Sequence, residues 1–305
     1  MGSFTVAASL VVYGLIRAGG SGWTDRVTAG ALAAGVLAAA VFVVVERHRA
    51  DPMLDLALFR RPAFTVLMLS AAALTAAAFA NLVFVSLWAQ SVLGLGALSA
   101  GLVLAPMAVG AFVVAGLGGR LLHGVAPRCT IGSGLLLVAL GTALCTLVGP
   151  SSGWAVLVPG LCVTGVGVGL STPVLASAAL SAVPSSRAGM ANGASNTFRQ
   201  LGYALALPIL ATVVTAAARS ALTGAVPSPS TVAQRLTGGG YADLLSAAPA
   251  SVLRAAYAAG LDRIFTVSAI LAAVAGVAVL AMLRPPADPR AAAAPAPADV
   301  VRTPG

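Results

Sequence analysis

Residues 64–89 read FTVLMLSAAALTAAAFANLVFVSLWA, a stretch without one charged side chain. A bilayer core about 30 Å thick needs about 20 residues of α-helix, so this stretch is long enough to cross a membrane. Seven further long apolar runs occur, near residues 3–16, 28–45, 97–118, 130–149, 154–178, 196–218 and 261–283, of which only the last two include charged residues, close to their first residue. The first run is short, since about 14 residues of helix reach only about 21 Å. The sequence predicts an all-α integral membrane protein with about eight transmembrane helices.

The composition of the whole chain supports this class. Of its 305 residues 59% are apolar and 8% charged, whereas soluble domains carry about 25% charged residues. All 17 basic residues are arginines, scattered in ones and twos between apolar runs, which indicates membrane-flanking charges and not a nucleic-acid-binding face. The three cysteines and two histidines show no pairing or metal-ligand spacing, so we expect no metal and no cofactor.

The arginines also predict the orientation of the chain. If the N-terminus is cytoplasmic, 11 arginines fall on the inner side and 6 on the outer side. Because inner loops of membrane proteins are enriched in Arg and Lys, we expect both termini in the cytoplasm of a multi-pass cell-membrane protein. The tail after residue 283 is rich in proline and alanine, which is typical of a disordered segment.

The eight acidic residues are informative by their position. All of them fall in loops, at the ends of apolar runs or in the tail, and none lies in the middle of an apolar run. A carboxylate inside a membrane is costly and is retained chiefly for ion or substrate work. The chain therefore lacks a proton carrier of its own, and proton coupling would need a carboxylate from another polypeptide.

Neutral polar residues are the remaining candidates for a binding site. The third run carries Asn81 and Gln90 together with Phe79, Phe84 and Trp88, and aromatic walls with a few amides suit drug-sized apolar ligands. An interhelical hydrogen bond accounts for Asn81 equally well. We expect the route to be lined by Asn81, Phe84, Trp88, Thr172, Ser195 and Asn196.

Glycine patterns in the chain favour structural roles. Gly165 and Gly169 have the small-xxx-small spacing of closely packed membrane helices, and Pro173 can break the backbone ladder where a cavity is lined. Residues 149–153 match the G-x-S-x-G pattern of hydrolases, but they lie in a short outer loop without the strand-turn-helix setting. We therefore expect no enzyme activity.

The long outer segment, residues 219–260, divides into two parts. A polar stretch containing Gly238, Gly239 and Gly240 precedes a stretch whose apolar residues have helical spacing from Val252 onward. We expect this second stretch, with Pro249 at its first turn, to extend the last span outward. A helix lying on the membrane surface is the alternative.

Three segments resemble the fourteen-helix drug:proton antiporters of the major facilitator superfamily. They are ERHRADPMLDLALFRRPAFT (residues 46–65), GRLLHGVAPR (119–128) and PSSRAGMANGASNTFRQLGYALALP (184–208), which occur in family order. The resemblance implies two linking helices and a cytoplasmic loop at 1–62, a C-terminal six-helix bundle at 63–283, and a tail at 284–305. The family's N-terminal bundle has no counterpart in this chain.

The resemblance also implies a gating loop and a cytoplasmic mouth. The loop residues are Gly119, Arg120, His123, Pro127 and Arg128, with His123 in the place of the family's acid. Gly124 and Ala126 occupy positions where the family usually has arginine and glycine, so the charge-paired contacts of this loop should be weaker than usual. The mouth residues are Arg187, Arg199 and Gln200, although each arginine fits a solvated interfacial position better than a gating contact.

By resemblance, the intact transporter would exchange protons for hydrophobic or cationic compounds. Alternating access needs two bundles around one site, so we expect an N-terminal bundle, encoded in the same gene or as a separate chain, as the partner. A dimer of this chain is the other possible source of an opposing bundle. The alternative is a truncated remnant, or a membrane scaffold or subunit without transport activity.

Overall fold

The computed structural model describes residues 2–22, 24–48, 56–121, 125–184 and 187–283. Within these ranges the chain is helical and contains no strand. The helices are α1 (Gly2–Ser21), α2 (Arg26–Arg47), α3 (Pro62–Ser91), α4 (Ala97–Leu121), α5 (Pro127–Leu144), α6 (Leu157–Ser181), α7 (Ala188–Leu222), α8 (Pro229–Thr237), α9 (Tyr241–Leu244) and α10 (Ala250–Met282). The predicted all-α membrane fold is confirmed.

Seven of these helices, α2 to α7 and α10, are long and apolar enough to span a membrane. The first apolar helix is shorter, at Phe4–Ala18, as its sequence predicts. Their outer surfaces carry large apolar side chains, such as Leu98 and Phe112 of α4, each 82% exposed. An apolar exterior of this kind suits lipid and not water as the solvent. The predicted disordered tail lies outside the described residues.

Six helices form the main bundle. Helix α3 packs against α7 and α10, α5 packs against α6 and α10, and α4 packs against α6. Two buried hydrogen bonds tie α10 to α3. The hydroxyl of Tyr257 donates to the carbonyl of Phe84 at 3.3 Å, and Ser268 Oγ donates to Asn81 Oδ1 at 2.9 Å. The predicted hydrogen-bonding role of Asn81 is thus seen in the structure.

Helices α1 and α2 form a hairpin beside this bundle, in which α1 also contacts α7. Asp25 is the N-cap of α2 and accepts a hydrogen bond from the backbone N–H of Thr28 at 3.1 Å. The same carboxylate pairs with Arg17 Nε at 2.9 Å. Because a cap satisfies backbone donors that the helix itself leaves free, Asp25 fixes both the turn and the start of α2.

Helix α6 touches neighbours on two sides without side chains between them. A Cβ atom on Gly165 or Gly169 would collide with backbone atoms of Met107 or Ala111 in α4. A Cβ atom on Gly167 would collide with the backbone of Gly134 in α5. The glycines therefore serve close packing, as the small-xxx-small spacing predicts. Helix α6 continues through Pro173, which has no N–H to donate to the preceding turn, so one hydrogen bond of the backbone ladder is missing there.

The outer segment adds two short helices that the sequence analysis did not predict, α8 and α9. Thr237 of α8 shares a 3.0 Å hydroxyl hydrogen bond with Thr215 of α7, and Arg254 Nε donates to the Tyr241 hydroxyl at 3.3 Å. The periodic stretch is continuous with the last span, because α10 is one helix from residue 250 to 282. Pro249 is its N-cap.

Candidate functional site

Helix α3 has two different faces. One face turns to α10 and carries Asn81, Phe84 and Trp88, which are 2%, 5% and 3% exposed. The other face is open and repeats every three or four residues through Thr75, Phe79, Leu82, Ser86 and Gln90. This repeat follows the 3.6-residue helical period, so these five side chains share one stripe.

The open stripe of α3 forms a groove with α7. The groove has a volume of about 690 Å³ and is open along one side, which places it in the size range of drug-sized ligand sites. From Thr75 to Gln90 it extends about 22 Å along α3. Its full lining is Thr75, Phe79, Leu82, Val83, Ser86, Leu87, Gln90, Leu104, Arg199, Gln200 and Tyr203.

Close contact between α3 and α7 defines the edge of this groove. A Cβ atom on Gly202 would collide with the backbone of Ala72, so the two helices meet backbone to backbone at that level. Nearer the N-terminal ends of both helices, the ring of Phe198 lies 5.6 Å from that of Phe59. Phe59 precedes Ala72 in the chain, and Phe198 precedes Gly202. Because the two contacts follow each other in the same order in both segments, α3 and α7 run parallel.

The groove's polar groups differ in how far their hydrogen bonds are satisfied. Thr75 Oγ1 donates to the carbonyl of Ala71 at 2.7 Å. Gln90 Nε2 donates to the hydroxyl of Ser86 at 3.0 Å. Among the described residues, by contrast, no hydrogen bond or ion pair involves the side chain of Arg199. In the part of the chain that the structure describes, the groove therefore holds one unpaired cation, Arg199, at its α7 side.

Carboxylates are absent from the described lining of the groove. The acidic residues in the described ranges are Asp25, Glu46, Asp243 and Asp262, and none of them lines it. The described lining therefore consists of apolar, neutral polar and cationic groups.

The structure separates the residues predicted to line the route. Asn81, Phe84 and Trp88 belong to the α3–α10 core and not to the groove. Thr172 of α6 lies away from the groove, and its hydroxyl is buried without a partner in the described part of the chain. On α7, Ser195 is buried and Asn196 is exposed, and neither lines the groove.

Of the predicted cytoplasmic-mouth residues, Arg199 and Gln200 line the groove. Arg187 is exposed at the N-cap of α7. In the predicted gating loop, His123 lies outside the described residues. Gly119 and Arg120 belong to α4, while Pro127 and Arg128 begin α5.

The sequence analysis missed most of the groove lining. Tyr203 follows Asn196, Arg199 and Gln200 at spacings of seven, four and three residues, which is a polar stripe on one helix face. That stripe could have indicated the α7 side of the groove from the sequence. Thr75 and Ser86 indicate the α3 side less clearly, because a single hydroxyl in a long apolar helix can also be explained by a hydrogen bond to the backbone of its own helix.

The chain is similar to known membrane transport proteins. A family model described as Major Facilitator Superfamily matches residues 1–207. Multidrug resistance protein Stp of Mycobacterium tuberculosis is 32% identical over 65% of this chain and 37% of its own length. Multidrug efflux pump LfrA of Mycolicibacterium smegmatis is 30% identical over 82% of this chain and 52% of its own length.

Further comparisons agree in family and fold. The tetracenomycin C resistance and export protein of Streptomyces glaucescens is 34% identical over 63% of this chain and 36% of its own length. A solved bacterial homologue of the human lysosomal transporter Spinster, inward-facing and occupied, superposes with a TM-score of 0.53 at 18% identity, covering 92% of this chain and 67% of that one. The chain thus spans about a third to a half of the curated relatives it matches.

Proposed function

The chain belongs to the Major Facilitator Superfamily, and we propose that it forms one wall of the substrate pathway of a multidrug efflux transporter. The observation that carries this proposal is the 690 Å³ groove between α3 and α7, with its aromatic and aliphatic lining and few polar groups. Hydrophobic small molecules bind to surfaces of this composition. The names of the matched relatives, which are multidrug resistance and efflux proteins, support the same activity.

We assign residues 1–62 to a linking unit and residues 63–283 to a C-terminal six-helix bundle. Packing supports this division, because α1 and α2 contact each other far more than they contact the bundle. The bundle then consists of α3 to α7 and α10, with α8 and α9 as an outer cap. With Arg60 and Arg61 on the inner side, both termini would face the cytoplasm.

The opposite wall of the pathway would come from a second six-helix bundle. Transporters of this architecture place the substrate between two halves that rock against each other. The groove is open along one side, which leaves the space that a second bundle would close. That bundle would also provide the membrane carboxylate for proton coupling, because the described groove residues include none.

Dye export tests this function in cells that lack their own efflux pumps. The chain is expressed alone and together with the N-terminal part of the Mycolicibacterium smegmatis pump, and export of a hydrophobic fluorescent dye is followed. We expect export from the assembled pair only. Phe79→Ala, which removes an aromatic wall of the groove, should slow export, whereas Leu69→Ala should not. Leu69 lies on the same helix, is 57% exposed and lies outside the groove.

Three results would overturn the proposal. Export by the chain alone would show that one bundle suffices. Equal export by the Phe79 and Leu69 variants would show that the groove is not the pathway. A pair that co-purifies but exports no dye would exclude transport.

A further inference from the structure

Among the described residues, Arg199 is the one charged residue that lines the groove. It lies with Thr75, Phe79 and Tyr203 in this lining, and its side chain makes no ion pair or hydrogen bond within the described residues. An arginine at membrane depth is costly unless it is paired or faces a cavity, and it marks a functional position by default. Arg199 lines the groove, so an anionic group bound in the groove could pair with it.

The depth of Arg199 follows from its neighbours. Gly202 lies level with Ala72, which is about 16 Å along α3 from Arg61. Arg199 is three residues earlier on α7, so its backbone is about 12 Å from the level of Arg61. Arg199 therefore lines the end of the groove nearer the N-terminal ends of α3 and α7.

The groups around Arg199 can donate to an anion. The guanidinium offers several N–H donors in a planar fork that matches carboxylate, sulfonate and phosphate oxygens. The Tyr203 hydroxyl and the Gln200 amide lie on the same stretch of α7 and also line the groove. Beyond this polar end, Phe79, Leu82 and Val83 provide an apolar wall.

We propose that the α3–α7 groove binds amphipathic anions, with the acidic group at Arg199 and the apolar body along Phe79 and Leu82. This inference rests on the proposed function and assigns a substrate class to its site. It differs from the cationic compounds that the family resemblance implies, because the described lining of the groove contains a cation and no carboxylate. A cationic ligand would meet like charge at Arg199, and repulsion would weaken its binding.

A matched series of probes tests the charge preference. Pyrenebutanoate, pyrenebutanol and pyrenebutyl-trimethylammonium share one aromatic body and differ in charge. Their binding to the purified chain in nanodiscs of zwitterionic lipid is measured by equilibrium dialysis, with empty nanodiscs subtracted. We expect the anion to bind about tenfold or more tightly than the cation.

Three variants separate charge from groove binding. Arg199→Gln should weaken anion binding about tenfold and remove the difference between the probes. Arg219→Gln should change nothing, since Arg219 is an exposed arginine on the same helix, about 30 Å further along it. Phe79→Ala should weaken all three probes alike. If Phe79→Ala weakens binding but Arg199→Gln does not, the charge inference fails while the groove remains a binding site. If neither variant matters, the proposed function fails as well.

Two further measurements separate a small amphiphile from a lipid headgroup and test the charge preference in cells. An anionic headgroup could pair with Arg199 in place of the probe, so binding is repeated in nanodiscs that contain phosphatidylglycerol. Loss of probe binding there would assign the site to lipid and overturn the substrate class. The same probes are also loaded into cells that express the assembled pair. Preferential export of the cation would overturn the inference.

Discussion

Gly202→Ala tests the contact that positions α3 against α7. Gly202 lies in the middle of α7, and a Cβ atom there would lie 2.7 Å from both the Cα and the carbonyl carbon of Ala72. Real Cβ atoms essentially never approach backbone atoms this closely. The backbone of Ala72 is held within α3 and cannot move aside as a flexible side chain could. The two helices must therefore separate to accept one methyl group.

The magnitude follows from a comparison with a second glycine of the same helix. Gly193→Ala adds the same methyl group at an exposed position where nothing lies within 4 Å. Both substitutions remove a helical glycine, so both gain the same helix propensity, about 1 kcal/mol on scales measured in water. Subtracting one effect from the other leaves the steric cost alone. Overpacking of a closely packed site costs about 1–3 kcal/mol, so Gly202→Ala should be less stable than Gly193→Ala by that amount.

The measurement is reversible unfolding of the purified chain in mixed micelles, followed by loss of helical signal as denaturing detergent is added. Gly193→Ala should match or exceed the wild-type free energy of unfolding, and Gly202→Ala should fall below Gly193→Ala. If the two variants differ by less than about 0.5 kcal/mol, the expected steric cost is absent. Ala72 and Gly202 would then not be in backbone contact, and the groove between their helices would be incorrectly described.

Two further predictions concern other contacts. In a double-mutant cycle of Asn81→Leu and Ser268→Ala, we expect a coupling of about 0.6 kcal/mol, which is the average for interhelical hydrogen bonds in membranes, and zero coupling would refute the bond. For Asp25, the hydrogen bonds from Arg17 and from the backbone of Thr28 hold the pKa of the carboxyl below its usual range. Its stabilising effect is therefore present above the ordinary pKa of about 3.9 and is lost only as the pH falls through the lower value. Hydrogen-exchange protection of the α1–α2 turn, corrected for intrinsic rates, should stay constant between about pH 8 and pH 5, and a loss near pH 6 would contradict this assignment.

The sequence was sufficient to predict the spans, because a bilayer imposes a length and an apolar composition that can be counted directly. The sequence was insufficient to predict where a helix begins or ends when polar residues beyond the apolar run continue the helix. The seventh span was predicted from residue 196, whereas α7 begins at Ala188. That earlier start places Arg199 eleven residues after the first residue of α7, and not near the beginning of its helix.

The choice of face on α3 was also beyond sequence reasoning. Aromatic and polar residues occur on both sides of this helix, Phe79 and Ser86 on one and Asn81 and Trp88 on the other. A helix that is apolar all round carries no amphipathic signal to identify its outer face. Packing against α10 decides which residues become core, and that packing depends on contacts nearly 190 positions apart in sequence, such as that of Asn81 with Ser268.

The glycines of α6 have a mechanical consequence for any transport cycle. Where backbones of α4, α5 and α6 touch directly, no side chain can change its rotamer to absorb a relative shift, and closely packed interiors resist such deformation. The three helices should therefore tilt as a single rigid plate.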